Sequence, residues 1–155
     1  MLKRLKAILS GDTAQPATDA ADERQIAAAV LLVEAATLDD VFDDQERATI
    51  AAVLGQHFDL DAAEASTLIK AAEVAQEDSN HLLRFTRTIK DSYTPEDRVE
   101  IIEMLWEVAY ADGELHDYEA NLLRRVAGLI YVSDQDRGDA RKRVLTRIGL
   151  ADKVI

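Results

Sequence analysis

The chain has 155 residues, a net charge of −12 and nearly half apolar residues, with two prolines and no cysteine. That length supports one domain with a real core, and the lack of cysteine excludes disulfides and thiolate metal or redox chemistry. The negative charge argues against the nucleic-acid backbone, which needs a basic face to displace counterions. A cationic partner suits it better, either a metal ion or a basic patch on a protein. No stretch approaches the roughly 20 apolar residues of a membrane span, and the amino terminus lacks the apolar core of a secretory signal. The expected location is cytoplasmic.

Residues 1–9 form a short basic amphipathic helix in expectation. Leu2, Leu5, Ile8 and Leu9 share one helical face, and Lys3, Arg4 and Lys6 occupy the other. Such a piece can touch a membrane surface weakly, but so few residues bind a bilayer poorly alone. The preferred reading packs its leucines on the bundle or on a second copy, the latter giving a homo-oligomer. Residues 10–22 are small and polar, with Gly11 and Pro16 and no periodicity, and read as a flexible linker.

The first long helix is expected from about Asp22 to Leu38, with Ile26, Val30 and Val33 inward. An acidic turn at Asp39–Asp43 breaks it. Asp43 then caps the next helix, with Glu46 at capping-box spacing. That helix carries Ile50, Val53 and Leu54 and ends near Gly55–Phe58. Asp61 with Glu64 repeats the capping pattern and starts a third helix through Leu68, Ile69, Ala72 and Ala75. Glu77–Asn80 is a polar break, and Leu82–Ile89 is a shorter joining helix. Thr94-Pro95-Glu96-Asp97 is a strong helix start, with Thr as cap, Pro in the first position and acids in the first turn. The helix it begins carries Ile101, Ile102, Leu105, Trp106, Val108 and Ala109 inward and ends at Asp112. Gly113 supplies a positive φ, and Glu119 follows His116 at capping-box spacing. Leu122, Leu123 and Val126 line the next helix to about Tyr131, and Ser133 caps a last one to about Arg147, across Gly138. Phe58, Phe85, Trp106, Tyr110 and Tyr131 all read as core. The result is an all-α bundle of seven or eight helices.

The turn Ala109-Tyr110-Ala111-Asp112-Gly113-Glu114-Leu115-His116-Asp117-Tyr118-Glu119 aligns without gaps on Ala36–Glu46, 73 positions upstream. Asp112 falls on Asp39, Asp117 on Asp44 and Glu119 on Glu46. In the same register Gly128 falls on Gly55, Tyr131 on Phe58 and Asp134 on Asp61. Two glycines, an aromatic and several acids in one register indicate a duplicated helical unit with a pseudo-twofold arrangement. Its repeats span about residues 24–78 and 97–151, within a domain of 23–151.

The acidic turns hold the candidate site. Asp43, Asp44, Glu46, Asp117 and Glu119 sit where a helix start favours acids with no ligand at all. Asp39 and Asp112 lie at the end of the preceding helix, where the dipole disfavours an anion. That repeated placement hints at a cation or a basic partner. The candidate divalent-metal set is Asp39, Asp43, Asp44, Glu46, Asp112, Glu114, Asp117 and Glu119. Hard Ca²⁺ or Mg²⁺ suits all-oxygen ligands, and His116 would admit Zn²⁺. The spacing is too short for an EF-hand loop. Paired carboxylates also invite acid–base chemistry, yet no serine elbow or phosphate loop accompanies them, and His57, His81 and His116 are far apart in the chain. An enzyme is therefore not expected. Arg124-Arg125 and Arg141-Lys142-Arg143 are basic spots near helix ends, where cations are favoured anyway.

Ala-Tyr-Ala-Asp-Gly-Glu-Leu-His-Asp-Tyr-Glu followed by Leu-Leu-Arg-Arg-Val-Ala resembles the signature of the TerB family, named for tellurite resistance. The amino-terminal domain of the co-chaperone DjlA shares that signature. The resemblance spans about residues 24–150. It is weaker in the first turn, where Asp40-Val41 replaces the family's Gly-Glu. It implies an all-helical fold with pseudo-twofold repeats and an acidic, metal-binding cluster, and no established catalytic activity. The function expected is a non-enzymatic interaction module in a stress-response or membrane-associated assembly. The alternative is a divalent-metal sensor or buffer.

Overall fold

The computed structural model describes residues 15–38, 42–76 and 81–150, the first eight of them and His81 as backbone only. These fold into seven α-helices: α1 Gln15–Ala36, α2 Asp44–Phe58, α3 Ala62–Gln76, α4 His81–Ser92, α5 Pro95–Ala109, α6 Asp117–Leu129 and α7 Asp134–Arg147. Among the described residues there is no strand.

The helix starts follow the capping chemistry. Asp43 Oδ1 accepts from the Glu46 amide at 2.8 Å while Glu46 Oε1 accepts from the Asp43 amide at 3.1 Å. Asp61 and Glu64 repeat that reciprocal pair at the start of α3. Thr94 and Ser133 cap α5 and α7 through their hydroxyls, and Pro95 occupies the first turn of α5. α1 begins at Gln15, ahead of the expected Asp22, so part of the stretch read as linker is helical. Pro16 is no obstacle there, because the first turn of a helix has no partner for that amide. α5 ends at Ala109 rather than Asp112, and the chain then turns through Gly113 at φ +89°.

α1 lies at the centre. Every residue from Ala27 to Val33 is buried, which is the pattern of a helix covered on all sides rather than on one stripe. Its neighbours are α2, α3, α4 and α5, with α3 the most extensive. α5 makes its largest contact with α7. Ile50, Leu54, Ile102, Leu105, Trp106, Leu122, Leu123 and Val126 are buried as expected, whereas Ile26 is only partly so. Trp106 also donates its indole N–H to the Arg137 carbonyl at 3.1 Å, tying α5 to α7.

Phe58, Phe85 and Tyr110 are buried, but Tyr131 is 72% exposed, against the expectation that it is core. Its backbone explains the reversal. Tyr131 sits at φ 62°, left-handed, and the following Val132 amide bonds back to the Ala127 carbonyl at 2.8 Å. This is a Schellman-type helix end, which turns Val132 inward and leaves Tyr131 outside beneath the Lys90 ammonium, 5.2 Å from the ring centroid.

Trp106→Ala is expected to cost roughly 3–5 kcal/mol in denaturant unfolding, from lost core volume and the lost indole hydrogen bond to α7. Tyr131→Gly is expected to be neutral or stabilising by up to about 1 kcal/mol, since a left-handed residue with little packing has strain to release.

Candidate functional site

The end of α1, the start of α2, the end of α5 and the start of α6 meet around a cleft of about 250 Å³. Asp43 and Glu46 from the first acidic turn line it together with Asp112 and Glu119 from the second, and Ala36 and Ala109 form part of its wall. Two turns far apart in the sequence thus face one space. Asp44 and Asp117 stand exposed at the first positions of α2 and α6, and Glu114 is exposed in its turn. None of these three lines the cleft. Asp39 lies outside the described residues.

Backbone amides hold the cleft carboxylates. Asp43 and Glu46 form the reciprocal cap of α2. Glu119 Oε1 accepts from the His116 amide at 3.1 Å. Asp112, placed where the α5 dipole is unfavourable, finds local donors instead. Its Oδ1 accepts from the Glu114 amide at 3.1 Å, and its Oδ2 lies 3.5 Å from His116 Nε2. The His116 ring stacks on Tyr118 with centroids 5.3 Å apart. Among the described residues, no group of three His, Asp or Glu side chains is arranged to hold a metal ion.

A second polar centre lies apart from the acidic turns. His57, near the end of α2, has only 9% of its side chain exposed and lies between two carboxylates of α5. Nδ1 is 2.7 Å from Glu100 and Nε2 is 2.6 Å from Glu107. Glu107 also receives Arg147, and Arg147 and Arg143 from α7 both reach Glu103. Three helices are thereby pinned by alternating charge. Burial pushes the His57 pKa down, but hydrogen bonds and charge from Glu100 and Glu107 outweigh it and raise it from 6.5 to about 9. His57 in turn holds the Glu100 carboxyl below the usual range. Both ring nitrogens donate in this arrangement, so the imidazolium acts as a fixed cation. A trace of it was present in the sequence: Glu100, Glu103 and Glu107 recur at three-and-four spacing on α5, a helix otherwise rich in buried apolar residues.

An all-helical bundle with paired acidic helix–turn–helix units is the class these features define. The profile of the family described as Tellurite resistance protein TerB matches residues 25–142. The chain belongs to the TerB family. No curated protein and no solved structure matches it significantly.

A raised histidine pKa stabilises the fold fully below the unfolded value of 6.5, and that contribution is lost as pH rises through about 9. The wild type is expected to lose melting temperature over this window relative to His57→Gln, which cannot titrate. Parallel melting curves at matched ionic strength provide the check, and equal slopes for the two proteins would count against the imidazolium.

Proposed function

We propose that the chain is a non-enzymatic interaction module that docks a basic segment of a protein partner in the cleft between its acidic turns, within a stress-response or membrane-associated assembly. The observation that carries this reading is the convergence of Asp43, Glu46, Asp112 and Glu119 on one cleft while backbone amides hold them. Carboxylates fixed as helix caps make a rigid negative surface suited to cationic side chains. They are poorly placed to close as a cage around an ion, which needs six or more oxygens for Ca²⁺. The family description supports the stress-response part. The non-enzymatic part rests on the sequence, which supplies no recognisable nucleophile or phosphate loop.

The test is titration of a Lys/Arg-rich peptide into isotope-labelled protein. Amide shifts are expected at Asp43, Glu46, Asp112 and Glu119, weakening with salt, and a double Glu46→Gln, Asp112→Asn variant should bind about tenfold more weakly. A flat titration would reject the docking surface. The second reading, a divalent-cation sensor or buffer, draws on the carboxylates of both acidic turns. It requires millimolar Ca²⁺ or Mg²⁺ to raise the melting temperature and Asp112→Asn to blunt that rise.

We also infer that α1–α3 and α5–α7 are duplicated units related by a pseudo-twofold axis. The first helix of each packs most on the third, and an acidic turn separates the first two in both. The spacing between equivalents shortens by one residue within the middle helices. α2 and α6 start 73 residues apart, but the left-handed residues Asp59 and Tyr131, and the first residues of α3 and α7, are 72 apart. On that spacing Phe58 corresponds to buried Ile130 rather than to Tyr131. Gly55 and Gly128 then fall in different surroundings: a Cβ on Gly55 would meet the Leu60 carbonyl at 3.0 Å, and one on Gly128 would meet nothing within 4 Å.

A further inference from the structure

A second groove, of about 590 Å³, runs between the first half of α5 and α7, with His57 of α2 also lining it. Pro95 and Val99 supply apolar surface, and Glu96, Glu100 and Asp136 supply acids. Glu100 gives one oxygen to His57 and is 39% exposed. Glu96 and Asp136 have no cation paired with their side chains among the described residues. Arg143 and Arg147 also border the groove, but both are engaged by Glu103. The surface therefore offers a small apolar strip flanked by acids.

We propose that this groove is the docking site for Met1–Leu9 of the same chain. The segment has the complementary chemistry, with Leu2, Leu5, Ile8 and Leu9 on one helical face and Lys3, Arg4 and Lys6 on the other. Apolar side chains would cover Pro95 and Val99, and the three cations would face Glu96, Glu100 and Asp136. Reach decides between the two acidic regions of the bundle. Tyr93, just before α5, bonds the Arg24 carbonyl at 2.9 Å, so the start of α5 lies level with Arg24. Gln15 is about 14 Å further along α1 at 1.5 Å per residue. Residues 10–14 can span about 17 Å when extended, enough to bring Leu9 back to that level. The acidic cleft opens beside Ala36, about 31 Å from Gln15 along the axis. Only the far tip of the segment could arrive there.

A docked segment would hide four large apolar side chains and cap an acidic strip with its own cations. It is a separate surface from the partner cleft, so its failure leaves the docking reading of that cleft standing. The chain has no cysteine, so Ala7→Cys in the full protein accepts a single nitroxide label. The label is expected to broaden the amide signals of Glu96, Val99, Glu100 and Asp136 and to leave those of Asp43, Glu46 and Asp112 sharp. Reversing the cations together (K3E, R4E, K6E) should restore the signals, with an unchanged melting profile of the bundle verifying the fold. The pair Glu96→Gln and Asp136→Asn should restore them from the other side. Undiminished signals at those four residues overturn the assignment, whether the segment then moves freely or sediments with phosphatidylglycerol vesicles. Broadening seen only when labelled and isotope-enriched molecules are mixed also overturns it, by placing the segment on a second copy.

Discussion

The bundle depends on the burial of the Ala27–Val33 stretch of α1. From Ala27 to Val33 no residue reaches solvent, so four other helices have to surround this one. Alanine at positions 27, 28 and 29 makes that feasible. Small side chains let neighbouring backbones approach while still removing apolar area from water, at about 25 cal/mol per Å². The larger Val30, Leu31, Leu32 and Val33 then fill the space further along. Once α1 is enclosed, the end of α1 and the end of α5 lie side by side, and the two acidic turns that follow them are drawn to one cleft. The candidate site is thus a consequence of how the central helix is covered.

Polar tethers then restrict how the enclosing helices sit. The interaction of His57 with Glu100 and Glu107 fixes α2 against α5, and the Arg143–Glu103–Arg147–Glu107 chain fixes α7 against the same face. Breaking one partner of a buried pair costs more than the pair contributes, because the other charge is left without compensation. Glu107 illustrates this: its side chain is 10% exposed and it meets both His57 and Arg147. Such a network favours helix arrangements that keep these partners together over others that would bury the same apolar faces. It also explains how α5 can carry Glu100, Glu103 and Glu107 among residues that are largely core.

Helix number and starts were legible in the sequence because they are local. Asp43–Glu46, Asp61–Glu64, Thr94-Pro95 and Ser133 satisfy amides within three residues, and that chemistry does not depend on the rest of the chain. Most of the core was legible through its periodicity. Tyr131 was not, since a left-handed helix end swaps the inward position by one residue and leaves no mark on apolar spacing. The one-residue difference between α2 and α6 was hidden for a similar reason: Gly55 and Gly128 match by identity in a gapless register although their helix ends do not. His57 was invisible because its partners are more than forty positions away. The meeting of the acidic turns was suggested only indirectly, by their repetition.

The electrostatics of Asp112 bear on how the acidic turns are interpreted. An anion after a helix C-terminus faces the negative end of the dipole, an unfavourable position worth a few tenths to 1 kcal/mol at the surface. Taken alone, that cost asks for a cation. In the folded turn the Glu114 amide donates to one oxygen and the His116 ring stands beside the other, so the local chain already offers compensating donors. Gly113 makes this feasible, because its positive φ bends the chain to present that amide. Glu119 meanwhile serves the opposite end of the same loop by accepting from the His116 amide. The acids of the second turn are thus accounted for by the geometry of stopping one helix and starting another. What that geometry leaves over is the common orientation of Asp112 and Glu119 with Asp43 and Glu46 toward one cleft, which capping does not require and which gives the surface its character.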